Sequence, residues 1–358
     1  MLLLLASLVA LGIYFAWPST NTTGHATPKH PAKEPVSHRR RSYVPLSLGA
    51  RVEAWRLPAA VSREAVLADG SGLTVIGGLD ASGNSLSGVE NIDLASGAVT
   101  SGPALATPVH DASAAGLADG TFVFGGGSPT TVATVQPVGP GTVPASALPQ
   151  PRSDSATVVL SSGVRGGGAP TAYVVGGYTG LTYLGEVLAT SDGQRFATVA
   201  NLPVPVRYAA VATYSGRIYV FGGEVAAPGP NVALTNDIQM VDPATHSAAV
   251  VGHLPEALYG SAAFSFHSAL YVAGGDAANG ATLTRISLFE PSSHEVLDAG
   301  SLPQGEAFGG YTTVGSGAAA VGYIVGGEVT IAGQNTVSLA TVMSLRPNGA
   351  APARPETA

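Results

Sequence analysis

The chain of 358 residues has no cysteine. That removes disulfides, thiolate metal sites and cysteine nucleophiles together, and leaves the redox compartment open. Lysine is nearly absent too. Residues 1–45 hold Lys29, Lys33, Arg39, Arg40 and Arg41 against Glu34, a net charge of +4. The remaining residues hold 11 arginines and no lysine against 22 acids, a net charge of −11. A body so poor in cations cannot neutralise phosphates, so no nucleic-acid partner is expected. There is no Gly-x-Ser-x-Gly, His-Glu-x-x-His or P-loop sequence, and so no familiar reaction centre. His25, His30 and His38 are too few and too irregular for a metal site. Neither a metal nor a cofactor is expected.

Residues 1–17 (MLLLLASLVALGIYFAW) are apolar and uncharged. Their length sits at the lower limit for a membrane-spanning helix, with Tyr14 and Trp17 at one end where interfacial aromatics belong. A basic leader and a small-x-small cleavage site are both missing, which favours an uncleaved transmembrane anchor. The alternative is a cleaved signal segment and a secreted protein. Residues 18–45 are rich in Pro, Thr, Ser and His and cannot bury enough apolar surface to fold. They read as a disordered stalk, and His38–Arg41 as a solvated charge run within it. Lys29 and Lys33 would place the stalk on the cytoplasmic side by the positive-inside rule. The stalk composition points outward, and an extracytoplasmic location is the expectation. Residues 349–358 read as a disordered tail.

What the chain does have is glycine, 47 of them. Six Gly-Gly pairs each end a short apolar run: Thr74–Gly78, Phe122–Gly126, Tyr173–Gly177, Tyr219–Gly223, Tyr271–Gly275 and Tyr323–Gly327. Their first glycines are 48, 51, 46, 52 and 52 residues apart. Each repeat parses into four short strands. In the fourth repeat these are 208–214, 217–222, 236–242 and 246–254, with a Ser215-Gly216 hairpin between the first two. Prolines at 137, 243, 291 and 347 read as turns after the third strand. Leu-Pro pairs at 57, 148, 202, 254 and 302 end the fourth, with the variant Leu105–Pro108 in the first repeat.

A repeat of about 50 residues built from short strands is a propeller signature. On these Gly-Gly strands, residues 46–348 resemble the kelch-repeat family. The resemblance implies an all-β, six-bladed, monomeric β-propeller. The family's usual fourth-strand tryptophan is absent from the repeats, with Phe196, Ala248 and Val296 in its place. The sixth Gly-Gly is followed by one convincing strand, 337–345, and 51–57 ends in Leu-Pro with no strands before it. The two deficits match, so the N-terminal strand is expected to complete blade six and close the ring, covering an open edge.

Strand order puts two sets of loops on one face: those entering the first strand, and those joining the second to the third. The first set offers Ser62, Arg63, Glu64, His110, Asp111, Arg152, Asp154, Arg207, Tyr208, Tyr259, Glu306 and Phe308. The second adds Asp80, Tyr178, Glu224, Asp276 and Glu328, each within two residues after Gly-Gly. Arg and Tyr suit planar or carboxylate-bearing ligands; acids after Gly-Gly also cap turns or pair with arginines. Arg152 and Arg207 are the leading ligand candidates at the channel mouth. Some proteins of the resembled family are enzymes. A copper type needing a cysteine joined to tyrosine is excluded here, while a mutarotase-like or lyase-like activity stays open. The leading expectation is a non-catalytic module that binds a protein or glycan; the alternative is a carbohydrate-active enzyme with its site at the channel mouth.

Overall fold

A computed structural model describes residues 46–349 and 352, apart from 71, 140–144, 162–167, 228–232 and 331–334. The expected anchor, its stalk and almost all of the tail lie outside the described residues. The rest is built from six four-stranded antiparallel sheets, in sequence order except for the last. The fourth blade shows the plan: Ala210–Tyr214, Arg217–Phe221, Asp237–Asp242 and Ser247–His253. The first strands touch in cyclic order, and that of blade six, Gly310–Val314, returns to that of blade one, Ala65–Asp69.

Closure is as the matching deficits require. Leu48–Arg56 pairs antiparallel with Thr341–Pro347, as the outermost strand of blade six. Leu48 is buried against Tyr271, Met343 and Ile324, and the Tyr271 hydroxyl donates to Leu46 O at 2.6 Å. The strand expected over 337–345 is in fact two. Thr336–Ser338 pairs with Glu328–Thr330 in a loop hairpin, and Thr341–Pro347 enters the blade. Closure also supplies a fourth-strand tryptophan: Trp55 of blade six packs over Gly97 of blade one. Pro137 and Pro347 lie within strand ends rather than in turns, positions where a missing N–H is tolerated.

The Gly-Gly pairs have one physical reason in all six blades. The first glycine has φ between 59° and 68° and the second between 93° and 109°. A Cβ on Gly125 would stand 2.0 Å from Arg152 O, so side chains are excluded by space as well as by φ. This sharp exit lets the loop after the second strand meet the loop entering the first. They pair in blade after blade, as in Val61–Ser62 with Leu79–Asp80 and Leu258–Tyr259 with Asp276–Ala277. The two loop sets therefore share one face, as the strand order requires. The leucines of the Leu-Pro pairs are all buried between blades. Behind two of them a buried glutamine clasps the loop. Gln136 bonds both N and O of Thr107, and Gln239 both N and O of Val204.

Candidate functional site

The residue two places before each first strand occupies one position six times: Arg63, Asp111, Asp154, Tyr208, Gly260 and Phe308. All six have φ between 53° and 64°. Each amide donates to the carbonyl of the equivalent residue in the preceding blade, at 2.7 to 3.0 Å, and the sixth returns to the first. The result is a closed ring of six backbone hydrogen bonds around the axis. The left-handed conformation is costly for the five non-glycine members. It is held because each one's N–H and C=O are fixed by two neighbouring blades.

The side chains of this ring fill its mouth. Tyr208 starts from blade four; its hydroxyl donates to Asp111 Oδ2 of blade two at 3.1 Å and accepts from Arg63 of blade one at 2.7 Å. Arg63 stacks 4.3 Å over the Phe308 ring and pairs with Glu328 at 3.0 Å. Arg207, one residue earlier in its loop, stacks 4.6 Å over Tyr178 and pairs with both Asp154 and Glu224. Tyr183 donates a short hydrogen bond to the same Glu224 carboxylate. Tyr259 meets Phe308 edge-on at 5.1 Å. The outcome is two arginine–aromatic stacks, tied by carboxylates, on a plugged axis.

Burial sets the charge states here. The Asp154 carboxyl is pushed up to about 7, by desolvation first and by Asp111 second, against the pull of Arg207. Tyr208 is raised well above an ordinary phenol by burial and then by the same two aspartates. Glu64 is raised to about 8, and Glu306 well above its ordinary value, both chiefly by burial. These two glutamates accept from the successive amides of Gly310 and Gly309, and each keeps an Oε2 without a partner. They lie at the seam between blades six and one.

The expected site residues separate into groups. Arg63, Asp111, Asp154, Tyr208, Arg207, Tyr178, Glu224, Tyr259 and Glu328 are brought together in or around the plug. His110 lies beside them; its Nδ1 bonds Ser85 at 2.8 Å, and its Nε2 is 3.8 Å from Asp111. That spacing makes no acid–base dyad. Asp276 accepts from Thr282 at 2.6 Å and so caps its own loop. Glu306 is fully buried beneath the face. Arg152 corrects the expectation of a ligand-facing arginine. Its exposure is 0 %, and its guanidinium donates to Gly176 O and to Glu186 Oε2, inside the third blade. The equivalent position is Val61, Val109, Val206, Leu258 or Glu306 elsewhere, all buried, so the side chain follows a core direction. Tyr183 is the plug member missing from the expected set. Tyr183 sits five residues after Tyr178 in one loop, and the Tyr178↔Tyr183 bridge of the fold brings the two together.

Fold and site together define a six-bladed β-propeller with its axis plugged on the loop face. Among solved structures, one described as "Structure of YjhT" superposes with a TM-score of 0.63 at 19% identity, covering 79% of this chain and 95% of that one. At that identity the likeness is one of fold. No family model matches the sequence, and no curated protein matches it significantly. No helix among the described residues is long and apolar enough to cross a membrane.

Proposed function

We propose that the chain is a kelch-type propeller acting outside the cytoplasm as a non-catalytic binding or scaffolding module, tethered through residues 1–17, with a protein or glycan ligand on the loop face. The observation that carries this reading is the pair of arginine–aromatic stacks. Arg63 and Arg207 keep 22% and 21% of their side chains exposed, yet each is fixed by two carboxylates. Such groups are preorganised, so little rotamer freedom is lost when a planar or hydroxylated ligand settles on them. Tyr178 and Tyr259 supply amphipathic surface beside them. The Pro/Thr/Ser stalk supports the extracytoplasmic placement.

The second reading, a carbohydrate-active enzyme, is favoured by one observation: Asp154, near 7 and beside Tyr208 and Arg207, is poised as a general acid–base. A glycan array and a pull-down with the intact propeller discriminate the two. The binding reading expects capture that is weakened by the Tyr178→Ala/Tyr259→Ala double change, without turnover. Turnover of any sugar, abolished by Asp154→Asn, would replace it with the enzyme.

A further inference from the structure

Beneath the plug, the six first strands enclose a cavity of about 970 Å³. It is blind at the ring, where Tyr208 lies across the axis. Its lining becomes more exposed away from the ring. Asp154, Ser113 and Phe308 are buried near the floor, whereas Ala68, Asp69, Gly116 and Val159 are exposed at the far end. The shaft therefore opens on the hairpin-turn face, opposite the loop face.

Its wall chemistry is specific. Hydroxyls line it on several blades, and three of them are already aligned: Thr157 Oγ1 donates to Ser113 Oγ at 2.7 Å, and Ser113 meets Ser155 Oγ at 3.2 Å. Between them stand small aliphatic side chains such as Ala114 and Val211, and the partly exposed ring of Tyr311, fixed by the Val211 amide. Four acids border the cavity, Glu64, Asp69, Asp111 and Asp154. Among the described residues, the one cation that borders it, Arg63, is already engaged by Asp111, Glu328 and Tyr208. An anion would find no available cation there. A neutral molecule carrying alternating hydroxyl and C–H surface meets hydroxyls, aliphatic groups and an aromatic ring in a space of the size that small-molecule sites have.

The geometry points to the shaft as a second binding site, entered from the hairpin-turn face, for a small neutral polyhydroxylated ligand of mono- or disaccharide size. This site is separate from the loop face, and its ligand need not be the one held there.

Two substitutions at the open end block the shaft without touching its floor. A Cβ placed on Gly116 would meet no atom within 4 Å, and the residue is exposed, so Gly116→Phe projects into the opening. Val159, 39% exposed on the neighbouring blade, gives Val159→Trp as an independent blocker. Calorimetric titration of the intact propeller uses glucose, maltose, myo-inositol and glucuronate as probes. The expected result is saturable binding of at least one neutral probe, with glucuronate at least about tenfold weaker. Either blocker weakens that binding by about tenfold or more at unchanged melting temperature. The loop-face change Tyr178→Ala/Tyr259→Ala leaves it intact, which separates this site from the one proposed above. Absence of saturation by every neutral probe up to about 20 mM overturns the site. So does binding that survives both blockers in folded protein. Glucuronate binding as tight as glucose overturns the ligand class.

Discussion

Arg152 and Arg207 look alike in sequence, each in a proline turn before a first strand. Their surroundings divide them. Arg152 is sealed in the third blade with Glu186, and its Nε has no partner. Arg152→Ala takes the side-chain donor from Gly176 O, leaves the Glu186 carboxylate with Gln150 but without its cation, and opens a void, and should lower stability by about 3 kcal/mol. Arg207 is fixed to Glu224 and Asp154, whose side chains are 3% and 4% exposed. Arg207→Ala strips both buried carboxylates of their cation, so a loss of about 2 kcal/mol is expected, reduced from the fully buried case because the arginine itself touches water. Urea melts at pH 7 measure both. An Arg207→Ala protein within about 0.5 kcal/mol of the parent would mean that these pairs contribute nothing net and that the arginine is held for a ligand alone.

Among elements, the closing strand and the glutamine clasps carry distinct burdens. Leu48–Arg56 covers the edge of Thr341–Pro347 and buries Leu48 beside blade five. Deleting residues 46–57 exposes that edge, and the product is expected to aggregate. A soluble, monomeric deletion protein with an unchanged melting temperature in light scattering and calorimetry would refute strand closure as the device that holds the ring. Gln239 is fully buried and serves both polar groups of Val204. Gln239→Leu keeps the volume but takes the partner from the N–H and C=O of the half-buried Val204. A loss of about 1 to 3 kcal/mol is expected, read as a fall in the urea midpoint at constant slope.

Across the whole molecule, the seam between blades six and one makes stability depend on pH. Glu64 and Glu306 both have folded pKa values above the unfolded value of 4.5, Glu64 at about 8. The unfolded chain gives up these protons first as pH rises. Their contribution is thus complete below about pH 4.5 and is lost as pH rises through about 8. Glu328 and Asp276 face the pair with like charge, and Arg63 stands beyond them paired to Glu328. Stability measured by urea melts should therefore decline from pH 5 to pH 8, and Glu64→Gln and Glu306→Gln should each flatten the decline. A profile identical to the parent in both variants would show that neither carboxyl is protonated in the fold.

The periodic features of this protein were determined by its sequence. Gly-Gly after an apolar strand requires φ values closed to other residues and close backbone approach, and both hold in all six blades. The missing strand at one end and the surplus strand at the other left one arrangement without an open edge, and Leu48–Arg56 takes it. Local signals fall short where the partner comes from another blade. Nothing near Tyr208 says that its hydroxyl crosses the axis to Asp111, 97 residues away. Nothing near Arg152 says that its loop turns the side chain inward, because the direction is set by the core position it shares with Val109 and Val206. Thr336–Ser338 reads as one strand with Thr341–Pro347 until the loop hairpin separates them. The backbone ring, its plug and the blind shaft are properties of six blades meeting at one axis, so only the tertiary structure could decide them.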